Sequence, residues 1–512
     1  MSGIPRRPER AGPPSPASGT LCGGPVGAGG PPGGRAAEPG DPPGHRAPGD
    51  RPRPSGDTPR HRPPRADLIA VAAALGLFAV ASVTGGLLYL WGRPVHATSA
   101  PLFAQWLPHV GPGTPLALLV AALVWWRGPA LAARLAWRGL LAVSYAAAVA
   151  WTLSLALVDG WQRGVAGRLT TTYEYLHEVP GVTDIPAMLA GFSGRILGLQ
   201  PDSWTTHVSG HPPGALLVFV VLDRIGLSGG GWAGVLCILV AALVAVAVPH
   251  TVRLLGTDEA ARAVVPFVVL FPGAVWSGVS ADGLFAGVTA TAVALLAYGV
   301  IRGRALGAVG GGALLAFGCY LSYGLVLMAP VALAVVVLAG RRWRTVGWAF
   351  VGAVPVAAAF TVAGFWWPTG YDLVIERYYQ GLASDRAYAY WVWADLAVVV
   401  VAAGPVVAVI LRRAVPAGWR AVSRRHRDGV RTADRRPGVV HASWLLPLAA
   451  TAVILAADLS GYSKAEVERI WLPFMVWLMA GAALIPPADR RGWLAAQAAV
   501  ALTINHLLLT VW

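Results

Sequence analysis

The run Thr206-His207-Val208-Ser209-Gly210-His211-Pro212-Pro213-Gly214 sets an imidazole directly before two prolines. Proline fixes its own backbone angle and can open a helix without giving up a needed N–H donor, so His211 is expected at the mouth of a helix. The same pattern also serves as a plain helix-start signal with an incidental histidine. Three carboxylates could accept a proton from a hydroxyl nucleophile, which a positioned base would activate. They are Asp159 at the end of an apolar run, Glu174 between Tyr173 and Tyr175, and Asp282 at the opening of another apolar run. A bound anion would need cationic partners, and Arg377, Arg386, Lys464 and Arg469 are the candidates. Glu468 beside Arg469 reads as an ion pair next to an apolar run. Each acid also has a plainer reading, as an interfacial group facing water or, for Asp282, as a helix N-terminal acid stabilised by the dipole. The rings in Tyr371–Trp391 could stack on a ligand or form the aromatic belt of a membrane interface.

The elements that must position these groups are dictated by composition. The 512 residues are 55% hydrophobic and only 13% charged, with mean hydropathy +0.57. That is far from a soluble domain, so water is not the main solvent. Forty Lys+Arg against 25 Asp+Glu would suggest nucleic acid in a soluble protein. Here the arginines lie in an N-terminal tail and between apolar runs, which is the pattern of membrane topology, and no nucleic acid is expected. Three cysteines, Cys22, Cys237 and Cys319, form neither a disulfide framework nor a metal-binding spacing. Nothing in the sequence calls for a metal.

Residues 1–65 are rich in Pro, Gly and Arg and lack large apolar side chains, so a disordered cytoplasmic tail is expected. A transmembrane domain follows over 66–512. With about 20 apolar residues per span, crossings are expected to begin near Ala66, His109, Arg138, Gly231, Ala263, Ala281, Ala305, Tyr323, Val346, Trp391, His441, Ile470 and Trp493. This is an all-α polytopic membrane protein of about thirteen spans. Arginine clusters mark one side, above all the basic loop 412–440. Alternation then requires Gly214–Leu222 to be a re-entrant or short helix that returns to the side it came from. The N-terminus is expected in the cytoplasm and Trp512 outside. Three loops, 159–211, 368–390 and 459–469, share the outer face with Asp282. Within the first, the spacing of Ile185, Met188, Leu189, Phe192, Ile196 and Leu199 predicts an amphipathic interfacial helix over Asp184–Leu199. His211, Asp159, Glu174, Asp282 and Arg469 are expected to border one outward-facing cavity.

Three stretches carry a resemblance. The His211-Pro212-Pro213 motif at the end of a large outer loop resembles that of protein O-mannosyltransferases and related GT-C membrane glycosyltransferases, the aminoarabinose-transferase-like enzymes among them. Phe271-Pro272-Gly273 through Ser280-Ala281-Asp282-Gly283-Leu284-Phe285 is similar to that family's proline-bearing helix followed by an aspartate opening the next. Glu466-Val467-Glu468-Arg469-Ile470-Trp471-Leu472-Pro473 resembles a late outer loop of actinobacterial-type members. The resemblance runs from about Asp159 to Phe474. It implies a GT-C-like fold, a polyprenyl-phosphate sugar donor, a glycan, lipid or protein acceptor in the cell envelope, and an outer-loop carboxylate as general base. The family's adjacent acids after its first span have no counterpart in Trp91–Pro108, which carries no acid. Asp159 stands where the family's first carboxylate stands, with Glu174 as the next candidate. A secondary transporter and a non-catalytic scaffold in envelope assembly are the competing readings, the first because Gly310–Gly312 and Gly404-Pro405 interrupt apolar runs.

Overall fold

The computed structural model describes residues 63–340, 342–427 and 441–510. Residues 1–62 of the expected tail and 428–440 of the expected basic loop lie outside the described residues. Helix α1 (Arg65–Leu90) is followed by the short strand β1 (Ala104–Trp106), then α2 (Thr114–Arg134) and α3 (Trp137–Ala156). A long segment of single turns leads through α4 (Ile185–Gly191) to α5 (Pro213–Arg224). Next come α6 (Gly230–Leu255), α7 (Asp258–Val269), α8 (Ala281–Arg302), α9 (Ala305–Leu321), α10 (Ala329–Leu338) and α11 (Trp343–Val362). After α12 (Trp367–Tyr379), α13 (Tyr388–Ala402) and α14 (Val406–Arg427), the chain resumes with α15 (His441–Ser460), the one-turn α16 (Val467–Ile470), α17 (Leu472–Leu484) and α18 (Arg490–Leu507). Strand β2 (Leu508–Thr510) pairs antiparallel with β1, Ala104 facing Thr510.

Seven of these helices, α1, α2, α3, α6, α8, α11 and α15, are long and apolar enough to cross a membrane, or up to eight if α13 and α14 count as one bent span. They are the helices of a membrane protein. Hydropathy leads to an expectation of thirteen crossings; by length and composition the described helices supply seven, or up to eight. A twelve-residue helix such as α7 rises about 18 Å at 1.5 Å per residue, short of a hydrocarbon core of roughly 30 Å. Its Phe267 and Val264 are buried in the bundle. In α18, Gln497 and Asn505 are buried and donate to the Ala403 and Leu155 carbonyls. Apolar runs that look alike in sequence thus fold into long apolar helices and into others that are shorter or carry buried polar groups.

Local chemistry sets the helix ends. In α8, Ser280 Oγ accepts the Gly283 N–H at 3.1 Å, Asp282 occupies the first turn, and Gly303 ends the helix at a left-handed φ of 64°. Between α9 and α11, a Cβ on Gly312 would lie 1.8 Å from the Ala349 carbonyl oxygen and one on Gly352 1.9 Å from that of Val309. The two backbones meet at glycine, a common packing mode for membrane helices.

Helix α5 has twelve residues, and each of its ends touches another segment of the chain. Gly214 abuts the Tyr320 carbonyl, and Arg224 donates to the Val182 carbonyl. The amphipathic stretch expected over Asp184–Leu199 is shorter than predicted: α4 ends at Gly191, a 3-10 turn covers Phe192–Arg195, and Leu199 is 95% exposed. Its apolar side packs on protein, with Phe192 stacked on Trp204 and edge-on to Phe365.

Candidate functional site

The segment following α3 and the segment preceding α17 meet over the first turn of α8. His207, in the turn Thr206–Ser209, is the joint. Its Nδ1 lies 2.7 Å from Glu174 Oε1, and its Nε2 lies 3.1 Å from Arg469 Nη2. A guanidinium only donates, so Nε2 accepts and the ring proton sits on Nδ1, from which it is given to Glu174. Arg469 Nη1 in turn donates to Asp282 Oδ2 at 2.7 Å, and its Nη2 to Glu466 Oε2 at 3.0 Å. The other oxygen of Glu466 accepts from Arg386 at 2.8 Å. Glu174, His207, Asp282, Arg386 and Arg469 are all buried. Charges taken out of water survive only when paired and hydrogen-bonded, and these are.

Electrostatics follow from that pairing. Burial works against the charge of Arg469, but Asp282, Glu466 and Glu174 outweigh it and raise the guanidinium above its ordinary value. Burial likewise pushes Glu466 up, yet Arg469 and Arg386 hold it below the usual carboxylate range. Glu174 Oε2 is buried and has no hydrogen-bond partner among the described residues. One oxygen of this carboxylate is therefore fixed and the other open.

Backbone conformation presents Glu466. Ala465 and Glu466 both adopt left-handed φ, 66° and 62°, a conformation that costs a non-glycine residue roughly 1–2 kcal/mol. Neighbours hold it in place. Lys464 Nζ donates to the Ala383 and Arg386 carbonyls at 2.6 and 2.9 Å, its N–H donates to the Tyr378 hydroxyl, and the Ala465 N–H donates to Asp395 Oδ1 at 3.2 Å.

The residues singled out from sequence separate into groups. Glu174, Asp282, Arg386 and Arg469 share the network. His211 stands beside it, half-buried, its Nδ1 2.8 Å from both the Tyr175 hydroxyl and the His207 carbonyl. Burial lowers its pKa below the ordinary imidazole value. Lys464 is spent on carbonyls. Arg377 reaches Ser209 Oγ at 3.3 Å from α12 and packs against Gly198. Asp159 lies in a different cluster: His109, Arg163 and Arg168 surround its carboxylate at 3.0, 2.9 and 3.0 Å, and Arg168 also donates to the Thr510 carbonyl at 2.5 Å. Both oxygens of Asp159 are occupied. Glu468 does not pair with Arg469. It turns away, fully buried, and accepts the Phe103 N–H at 3.0 Å, because adjacent residues in a one-turn helix point in different directions.

Two members of the network went unrecognised in the sequence. His207 lies four residues before His211, a spacing that puts both on one helical face, and Glu466 lies three before Arg469, which is a pairing distance within a turn. Two cavities, about 190 Å³ beside Phe219 and Pro180 and about 30 Å³ between α3 and α6, are lined by none of the network's side chains. Among the described residues, no three His, Cys, Asp or Glu side chains are grouped to hold a metal ion.

No family model matches this chain, and a search of curated proteins finds no match to it either.

Proposed function

We propose that this protein is a membrane glycosyltransferase of the GT-C kind, moving a sugar from a polyprenyl-phosphate donor to an envelope acceptor on the extracytoplasmic face. The observation that supports this reading is the Glu174 carboxylate, anchored through Oε1 by His207 and open at Oε2, beside buried arginines. In the proposed reaction Glu174 Oε2 takes the proton of the acceptor hydroxyl as its oxygen bonds to the anomeric carbon. The bond from that carbon to the phosphate oxygen breaks, and polyprenyl phosphate leaves with the electron pair. A leaving phosphate calls for guanidinium partners. Arg386, whose Nε has no partner among the described residues, is the first candidate. Asp282 and Glu466 hold Arg469, and Arg469 holds His207, so these three position the base. Asp159 is reassigned to bracing the loop, since its oxygens already accept from two arginines and face His109. The network is closed, so donor entry requires segment 159–211 to part from Glu466–Arg469 across the His207–Arg469 contact.

The test compares cell-envelope glycans and lipid-linked sugars with and without the protein, and with Glu174→Gln. A missing sugar and accumulated donor in both altered strains support the proposal; unchanged glycans in both sink it.

A secondary transporter is the second reading. Asp395 and Asp458 are buried in α13 and α15, and Asp458 Oδ1 has no partner among the described residues. Ionisable groups inside membrane helices commonly mark ion or substrate paths. Uptake of a solute into vesicles, abolished by Asp458→Asn and untouched by Glu174→Gln, would favour it.

A further inference from the structure

We propose that the distal half of α14 is an interfacial binding element for anionic phospholipid, seated on the leaflet at the arginine-rich end of the bundle.

The geometry begins at Gly404-Pro405. Here the chain turns by 106° between α13 and the helix that follows, so α14 runs across the direction of α13. Its first half is core: Val406, Val409, Ile410 and Ala414 are fully buried. Asp67, in the first turn of α1, is fully buried between Arg412 and Arg413, which pins α14 to the start of α1. Ile410 packs on Gly481 beside Pro447, while Gly418, eight positions on, abuts Trp444 and Leu448. Both points of α14 thus touch the first two turns of α15, as a helix crossing it does. This is the opposite end of α1 and α15 from the Glu174–Arg469 network, which adjoins Ser463 and Lys464 beyond the C-terminus of α15.

Past that crossing, the protein no longer covers the helix. Val415, Trp419 and Val422 are 57%, 74% and 61% exposed. Their spacing of four and three residues aligns them in one stripe, at 100° per residue. Gly418 marks the protein-facing side of that stripe. On its other side stands exposed Arg420, and positions 424 and 427 repeat the same four- and three-residue spacing with arginine. From Val406 to Arg427 there are six arginines and no acid. Protein at Gly418, the apolar stripe and Arg420 therefore occupy three separate sides of the helix up to Val422. A helix with an apolar edge and an arginine edge lying across a membrane bundle fits the boundary between acyl chains and headgroups. Beyond Arg412 and Arg413, which pair with Asp67, the helix sequence carries four more arginines and no acid, a charge run that selects anionic headgroups over zwitterionic ones. The proposal is independent of the glycosyltransferase reading.

The experiment uses the full chain, without its three native cysteines, in nanodiscs of phosphatidylcholine with or without phosphatidylglycerol. Nitroxide labels at Val422→Cys and Arg420→Cys report depth. The expected result is that oxygen relaxes the label at 422 more than a water-soluble paramagnet does, with the reverse at 420. Native mass spectrometry is expected to retain phosphatidylglycerol on the unmutated chain and to lose it by roughly a hundredfold in Arg420→Gln/Arg424→Gln/Arg427→Gln. Equal water access at 420 and 422, or dipolar broadening at 422 from a second copy of the chain, overturns the proposal. So does equal retention of the two lipids.

Discussion

Arg469 reaches Asp282, 187 positions away in the chain, through a 2.7 Å contact that joins the one-turn α16 to the start of α8. The same guanidinium touches His207 and Glu466, so a single cation ties together three parts of the chain. Removing one partner of a buried pair leaves the other charged and unsolvated, which is the expensive way to break it.

Arg469→Met is therefore expected to destabilise the protein by roughly 3–5 kcal/mol, and Arg469→Lys by less, because an ammonium can serve only part of the fork. Thermal unfolding in detergent measures it. Adding Asp282→Asn to Arg469→Met is expected to recover part of the loss. A melting temperature indifferent to Arg469→Met would show that the network carries no stability.

Glu174→Gln and Asp159→Asn are expected to differ in kind. In Glu174→Gln the amide oxygen can still accept from His207 but cannot take a proton, so transfer in membranes should fall by about 10²–10⁴-fold with little change in melting temperature. Asp159→Asn weakens the pairs with Arg163 and Arg168 and is expected to lower the melting temperature while leaving residual transfer well above that of Glu174→Gln. The opposite ordering would return the base to Asp159.

Glu468 carries a pH dependence. Burial is the main cause that pushes its carboxyl from an ordinary 4.5 up to about 7, against the Phe103 N–H, which favours the charged form. A carboxyl whose folded pKa is raised favours folding when protonated. Its contribution is full below about pH 4.5 and is lost as pH rises through about 7, up to about 3 kcal/mol in all. Unfolding midpoints measured from pH 5 to 8 should fall more steeply in the unmutated chain than in Glu468→Gln. Parallel profiles would mean that Glu468 does not titrate in that window.

Gly404 is held at φ 90°, and a Cβ there would lie 1.8 Å from Gln497 Oε1. Gly404→Ala is expected to cost roughly 1–3 kcal/mol from backbone strain alone, with the clash added. Gln497→Ala removes the clash together with its own hydrogen bond to the Ala403 carbonyl, so a double-mutant cycle, which cancels that second loss, should show coupling on thermal stability. Additive effects would place the two residues apart.

Much of this molecule is written locally. Hydropathy alone identifies a helical membrane protein, since the cost of an unpaired backbone group in hydrocarbon leaves helices as the solution for such apolar runs. The segments that carry polar chemistry, around 159–211 and 459–469, are also visible from their composition, and Glu174 and Arg469 stand out within them, as Asp282 does at the opening of its apolar run. What the sequence could not distinguish is a run that folds into a helix long enough to cross a bilayer from one, such as α7, that forms a shorter helix buried among its neighbours. Both are equally apolar, and only the neighbours decide which surface is lipid. Nor could it choose between Asp159 and Glu174. A carboxylate's availability depends on which cations reach it, and those come from far along the chain, as Arg469 does to His207 across 262 positions. Helix packing brings them together, and no local pattern encodes that meeting.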